Sequence, residues 1–324
     1  MGVLGMVRTP RPAQAALRSV VLAAARNERV RNLVATAPVS RSVVGRYVAG
    51  EDLADAVRVA RELAGQGLAV SLDHLGEDAT EPAKAAATAA AYVTLITRLH
   101  AEGLADRAEA SVKLSAVGQA LPGDGEKIAF EHARKICGVA RQHGVAVTLD
   151  MEDHTTVEST LNILGELRRE YPGTGAVLQA CLRRTEADCR DLAYPGSRIR
   201  LCKGAYDAPE SVAYQNPHQV DLSYVRCLNV LMAGEGFPMV ATHDPRLVAI
   251  AGERARWNGR SPGSYEYQML YGVRPDEQRR LAAAGESVRV YVPYGSEWYG
   301  YLMRRLAERP ANLAFFVRSL ASWS

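Results

Sequence analysis

The segment from residue 145 to residue 203 decides the fold, because it contains three short apolar runs separated by stretches long enough for a helix. The runs are VAVTLD at 145–150, GAVLQA at 175–180 and RIRLCK at 198–203. Each is rich in aliphatic and β-branched residues and ends on a polar or small residue, which is typical of a buried strand. The pattern predicts parallel strands joined by helices.

Runs of the same kind continue on both sides of this segment. They are LAVSLD (68–73), ASVKLS (110–115), FPMVAT (237–242), YEYQML (265–270) and VRVYVP (288–293). Eight such strand–helix repeats in one chain predict an α/β fold, a closed (βα)8 or TIM barrel. A doubly wound parallel sheet is the alternative, because a sequence pattern does not show whether a sheet closes.

The beginning of the chain has a different pattern. From residue 11 to about residue 46, apolar residues recur at helical spacing, as at Leu17, Val20, Val21 and Ala24. We therefore expect an N-terminal helical arm at 1–50 and a barrel at 51–324. No room is expected for a second catalytic domain after Ser324.

The composition excludes several classes of protein. With 48% hydrophobic and 23% charged residues the chain is globular, and a net charge of +3 without a basic patch predicts no nucleic-acid partner. The five cysteines form no CxxC motif, which predicts reduced thiols and a cytoplasmic location. The apolar run at 13–25 is broken by Arg18 and is too short to cross a membrane. We expect a soluble, unprocessed protein that can contact a membrane only peripherally, at its inner face.

Polar residues interrupt the predicted strands in their carboxyl-terminal halves, the end that carries the active site in a barrel. Neither GxGxxG after a strand nor GxxxxGK[ST] is present, which argues against a Rossmann site and a P-loop. Acidic residues and histidines at the strand ends leave a metal-dependent hydrolase as an alternative function. However, Lys113, Arg200 and Lys203 would set three cations beside that metal, an arrangement that suits an anionic ligand better.

The segment after the eighth strand carries the most specific signal. Gly295 and Ser296 precede a helix on which Tyr301, Arg304, Arg305 and Glu308 share one side. Two neighbouring guanidinium groups can bind a small carboxylate through paired hydrogen bonds, and Glu308 can hold one of them.

Nine blocks of the chain, in order, are similar to the flavin-dependent proline dehydrogenases, the family that also forms the barrel domain of bifunctional proline utilisation proteins. The blocks are RYVAGE (46–51), SLDHLGE (71–77), SVKLSAVG (111–118), LDMEDH (149–154), LQACLRR (178–184), RLCKGAY (200–206), ATHDP (241–245), YEYQMLYG (265–272) and YVPYGSEWYGYLMRRLAERPAN (291–312). The chain resembles the short monofunctional bacterial form. The resemblance implies a distorted barrel with its last helix over the mouth.

The resemblance also implies the reaction and the substrate site. L-proline would be oxidised to Δ1-pyrroline-5-carboxylate by hydride transfer to flavin N5, the first step of proline catabolism to glutamate. Arg304 and Arg305 would bind the proline carboxylate, with Lys113 as a further contact. Asp150 is similar to the family's active-site acid, which would pair with Lys113 and orient it. The proline ring would lie against Leu270, Tyr291 and Tyr301.

The implied cofactor is FAD, along the strand ends. Arg200 would be catalytic, because it would lie close to the N5 and O4 edge of the flavin and stabilise the charge that develops there. The other cofactor contacts would be Met151, Gln179, Lys203, Gly204, Ala205, Tyr206, Thr242, His243 and Glu308. Electrons would pass to a quinone or another acceptor, and a separate pyrroline-5-carboxylate dehydrogenase would use the product.

Two further alternatives stay open on the sequence. The same fold could act on another cyclic amino acid such as 4-hydroxyproline, because the pocket walls favour proline only by analogy. The second alternative is a regulatory barrel that catalyses no reaction.

Overall fold

Eight parallel strands form the centre of the protein, which we describe from a computed structural model covering residues 44–76 and 78–308, without the side chains of residues 304 and 306–308. The strands are β1 (Ala69–His74), β2 (Ala108–Val112), β3 (Ala146–Leu149), β4 (Gly175–Gln179), β5 (Arg198–Cys202), β6 (Phe237–Ala241), β7 (Glu266–Leu270) and β8 (Val288–Tyr294). All eight predicted strands are present. The second begins two residues earlier than expected, at Ala108, and ends at Val112 before a short 3-10 helix, Ser115–Val117.

The sheet closes into a barrel with the strands in sequence order. The closing contact is a parallel pairing of β1 with β8, in register from Ala69 opposite Arg289 to His74 opposite Tyr294. This confirms the (βα)8 barrel and rules out the doubly wound sheet, in which two strands would remain at the edges.

Helices surround the barrel. They are α1 (Leu53–Gly65), α2 (Pro82–Ala101), α3 (Gly125–His143), α4 (Val157–Glu170), α5 (Thr185–Leu192), α6 (Pro217–Ala233), α7 (Pro245–Trp257), α8 (Pro275–Ala283) and α9 (Trp298–Glu308). Helix α3 shows why they form. Its buried residues Ala129, Ala133, Ile136 and Ala140 recur every three or four positions, and Gly144 ends the helix in the left-handed conformation.

Helix α1 accounts for the position of the last helix. It packs against both β8 and β1, the place that the eighth helix takes in a regular barrel. Helix α9 therefore lies elsewhere: it begins directly after the carboxyl end of β8, where Trp298 donates a hydrogen bond to the Glu51 carboxylate at 3.0 Å. Its residues Tyr301, Leu302 and Met303 are buried.

Three further expectations concern the N-terminal arm, the cysteines and membrane-spanning helices. Most of the N-terminal arm lies outside the described residues, which include only a helical stretch at 44–47. All five cysteines are free thiols. Of the helices that the structure describes, none is long and apolar enough to cross a membrane.

Candidate functional site

The interior of the barrel is polar, because six strands carry polar side chains at alternate positions. Side chains at i and i+2 of a strand point to the same face, so each pair enters the barrel together. The pairs are Ser71 and Asp73, Glu109 and Ser111, Thr148 and Asp150, Arg198 and Arg200, Glu266 and Gln268, and Arg289 and Tyr291. Charges of both signs that are buried together in this way must be paired.

Arg200 lies at the centre of this interior, and its side chain is only 6% exposed. Its guanidinium donates to Gln268 Oε1 at 2.5 Å, to Ser111 Oγ at 2.9 Å and to Ser71 Oγ at 3.0 Å. It also donates to two carboxylates, Asp150 and Glu109, at 2.7 Å each. Burial opposes the charge of Arg200, but these carboxylates outweigh it and raise its pKa. Arg200 is therefore a rigid, permanently charged group.

Asp150 joins Arg200 to the mouth of the barrel. Its carboxylate accepts hydrogen bonds from Ser111 Oγ and from Tyr291 Oη, both at 2.8 Å, in addition to that from Arg200. The guanidinium of Arg200 lies 5.4 Å from the centre of the Tyr291 ring. Burial, and then the carboxylates of Asp150 and Asp73, raise the pKa of Tyr291, so the phenol stays protonated and donates. The orientation of the Tyr291 ring is fixed as a result.

Lys113 has a different partner from the one expected. Its ammonium group pairs with Asp73 Oδ2 at 2.5 Å, and the two side chains are 12% and 1% exposed. The expected pair between Lys113 and Asp150 is wrong, because Asp150 is bonded to Arg200, Ser111 and Tyr291. Burial opposes the charge of Lys113, but the carboxylates of Asp73 and Asp150 outweigh it and raise its pKa. Lys113 is held charged at the edge of the mouth.

Hydrogen bonds connect the ends of β3, β4 and β5. The Gln179 amide donates to the carbonyl oxygens of Met151 and Glu152 at 3.1 and 2.9 Å. The backbone N–H of Cys181 donates to the carbonyl of Lys203 at 2.8 Å. Gly204 follows with a φ of 100°, and a Cβ there would overlap Cys181 Sγ. Only glycine fits this turn, and it leaves the backbone open to close approach.

Lys203 belongs to a second charge network, at the ends of β5 and β6. Its ammonium group pairs with Asp221 at 2.6 Å and with Asp244 at 3.2 Å, and Arg246 pairs with the same two carboxylates. Hydrogen bonds from Arg246 hold the pKa of Asp244 well below its usual value. The Lys203 side chain remains 36% exposed, so part of it is still accessible.

The ends of β6 and β7 are tied together by His243. Its Nε2 accepts a hydrogen bond from the backbone N–H of Leu270 at 2.9 Å. Its backbone carbonyl accepts from Arg274 Nη1 at 2.7 Å. Beside it, Thr242 Oγ1 accepts from the backbone N–H of Asp244 at 3.2 Å. These bonds fix the loop that carries Thr242 and His243 against the end of β7.

The remaining predicted site residues lie after β3, after β5 and on α9. Met151 is 5% exposed, Tyr206 36% and Tyr301 6%, and Ala205 follows Gly204 at the end of β5. The Arg305 guanidinium lies 5.3 Å from the centre of the Tyr301 ring. The side chains of Arg304 and Glu308 lie outside the described residues.

The predicted residues divide into two arcs of the barrel mouth. Those assigned to the cofactor, Glu308 on α9 excepted, lie on or just after β3, β4, β5 and β6. Leu270, Tyr291 and Lys113 lie on β7, on β8 and after β2, and β8 and β2 are separated only by β1. Arg200 and Tyr291 are both bonded to Asp150, and the Arg200 guanidinium lies over the Tyr291 ring, so the three connect the two arcs across the barrel.

Sequence reasoning missed several residues of this network, chiefly Glu109, Ser71 and Ser111, and considered Glu152 only as an acidic strand end. Glu109 is fully buried and bonded to Arg198 and Arg200. Glu152 accepts hydrogen bonds from the backbone and the hydroxyl of Ser115, and burial raises its pKa. The sequence signal that could have identified the strand residues among them is the polar residue at every second position of a strand.

The acidic strand ends do not form the donor set that the metal-dependent alternative requires. Asp73, Asp150 and Asp244 lie in separate ion pairs with Lys113, Arg200 and Lys203. Within 44–76 and 78–308, no three His, Cys, Asp or Glu side chains gather into a possible metal site.

A closed parallel barrel whose mouth carries a fixed, buried charge network defines a barrel enzyme. The chain belongs to the proline dehydrogenase family, whose model matches residues 56–318. It is 40% identical to the proline dehydrogenase of Deinococcus radiodurans over 279 residues, which covers 85% of this chain and 89% of the relative. It is 37% identical to proline dehydrogenase 1 of Bacillus subtilis over 275 residues, with the same coverage of both chains.

A solved structure gives the same fold. The barrel superposes on proline utilization A of Bdellovibrio bacteriovorus inactivated by N-propargylglycine, with a TM-score of 0.77 and 23% identity. The match covers 91% of this chain and 36% of that longer one.

Proposed function

We propose that the protein is an FAD-dependent proline dehydrogenase that oxidises L-proline to Δ1-pyrroline-5-carboxylate. One observation carries the proposal: Arg200 is held rigid and charged in the barrel interior and is bonded to Asp150, which joins it to Tyr291 at the mouth. A fixed cation at that point suits a reaction in which negative charge develops on an acceptor.

The donor set at the ends of β3 to β6 fits FAD. Lys203 offers a partly exposed cation to the diphosphate, and Gly204 offers backbone without a side chain in the way. Met151, Gln179, Thr242 and His243 line the same arc, and Ala205, Tyr206 and Glu308 are proposed as further contacts. FAD, when bound, supplies a two-electron acceptor for the hydride that leaves proline C5.

The chain's own residues bind and orient the substrate. Lys113, together with Arg304 and Arg305, neutralises the proline carboxylate and anchors one end of the molecule. Tyr291 presents one ring face as a wall, in an orientation fixed by its bond to Asp150, and Leu270 and Tyr301 complete the wall. The bond from the Leu270 backbone to His243 keeps that wall in place.

The amine of proline must be deprotonated before C5 can release hydride, because only the free lone pair stabilises the developing imine. Arg200 and Lys113 are each paired with a carboxylate, and Arg304 and Arg305 add the positive charge that favours the substrate with an uncharged amine and an anionic carboxylate. Asp150 contributes by holding Arg200 and Tyr291 in place rather than by contact with Lys113.

We propose the same partners and arrangement that the sequence suggested. The barrel unit spans 51–324 and the arm 1–50. The acceptor of the electrons is a quinone or a comparable oxidant, reached by peripheral contact with the inner face of the membrane from the cytoplasm. A separate pyrroline-5-carboxylate dehydrogenase uses the product.

Steady-state assays with a soluble dye acceptor test the proposal. Purified protein reconstituted with FAD should turn over L-proline with a kcat/KM at least about tenfold above that for 4-hydroxyproline, a factor that about 1.4 kcal/mol of preference supplies. Faster turnover of 4-hydroxyproline would move the assignment to that substrate. No turnover of either would overturn the proposal.

A further inference from the structure

Glu109 is a buried carboxylate for which the proposed mechanism gives no role. It lies on β2 at the amino-terminal side of Ser111, with no exposed surface. Its two oxygens accept from Arg200 Nη2 and Arg198 Nη2, both at 2.7 Å, and from Thr148 Oγ1 at 3.0 Å. It therefore lies below Arg200, away from the mouth, where it cannot touch substrate or cofactor.

Glu109 is surrounded by cations. Arg289 is also 4.0 Å from one of its oxygens, so three guanidinium groups share this carboxylate. Burial opposes its charge, but the arginines outweigh burial and hold the pKa of Glu109 well below its usual value. Glu109 is therefore an anion at neutral pH.

The position of Glu109 bears directly on Arg200. The guanidinium of Arg200 is held between two carboxylates, with Nη1 bonded to Asp150 at the mouth and Nη2 bonded to Glu109 beneath. In a dry interior, a charge within a few ångströms changes the field of its neighbour strongly, because little water screens it. How much positive charge Arg200 presents at the mouth therefore depends on Glu109.

We propose that Glu109 is a positioning residue for Arg200: it anchors the guanidinium from below and reduces the positive potential that Arg200 exerts on the bound flavin. The inference rests on the proposed function, because it requires FAD at the mouth. Glu109 acts only through Arg200.

Two substitutions test the sign of this effect. Glu109→Gln keeps the shape and an acceptor oxygen but removes the negative charge. Arg198→Met removes the cation that donates to the other oxygen of Glu109. Glu109→Gln should raise the ratio of reduced to oxidised FAD at a fixed solution potential, and Arg198→Met should lower it. Each change should be at least about threefold.

The measurement is an equilibrium dye titration of the FAD midpoint potential in the wild type and both variants. Potentials that move in opposite directions support the inference, because a merely structural role gives no ordered sign. Unchanged potentials, or shifts in the same direction, would overturn it. If Glu109→Gln retains no FAD, Arg198→Met carries the test alone. A wild-type protein without FAD or proline turnover would instead refute the proposed function.

Discussion

Replacing Lys113 with methionine separates the structural role of this residue from its proposed role in binding. The variant leaves the Asp73 carboxylate, which is 1% exposed, without its cation. Removing one partner of a buried ion pair costs about 3–5 kcal/mol of unfolding free energy. The loss of a charged hydrogen bond to the proline carboxylate costs about 1.5–3 kcal/mol, which raises the KM for proline about 10- to 150-fold.

The double variant Lys113→Met/Asp73→Asn distinguishes the two effects. It removes both charges, so most of the unfolding free energy lost in Lys113→Met should be regained, whereas the KM for proline should stay high. Urea denaturation measures the first quantity, provided that the m value is unchanged, and steady-state kinetics measures the second. Arg58→Met is the control, because the exposed pair of Arg58 with Glu62 should contribute less than about 1 kcal/mol.

Either of two results would refute this reasoning. A double variant no more stable than Lys113→Met would show that the buried pair does not govern stability here. A double variant with the KM of the wild type would show that Lys113 does not contact the carboxylate.

Three further predictions concern the mouth of the barrel. Arg304→Met and Arg305→Met should each raise the proline KM at least about tenfold, and an unchanged KM would contradict the carboxylate contact. The kcat/KM for proline should rise from about pH 6 to about pH 9 as the substrate amine loses its proton. The buried cations of the site have raised pKa values and stay charged over this range, so a flat profile would contradict the account. Gly204→Ala should lose about 1–3 kcal/mol of unfolding free energy and most of its bound FAD. Gly259→Ala, at a positive φ in open space, should lose stability only; equal FAD loss in both would contradict a close approach at Gly204.

The strands of this fold were predictable because each is marked by the sequence itself. Apolar runs of six residues, each followed by polar residues and a helical stretch, define eight strands, and the resemblance of the family blocks implied a barrel. Closure depends on the pairing of β1 with β8, residues more than two hundred positions apart. No local pattern encodes it.

The partners of the charged side chains were less predictable. Lys113 follows the last residue of β2, so strand alternation does not fix the direction of its side chain. The register of β1 against β2 sets Asp73 opposite Ser111, which brings Asp73 within reach of Lys113. Glu109 was missed because the predicted second strand started one residue after it. Both results depend on strand register, which arises from packing of the whole barrel.

The central claim is that this protein transfers electrons from proline to bound FAD at the strand ends. Anaerobic titration of the FAD-loaded protein with L-proline tests it most directly. The account predicts that flavin absorbance is bleached and that one Δ1-pyrroline-5-carboxylate forms for each FAD reduced. A spectrum that L-proline leaves unchanged would contradict it.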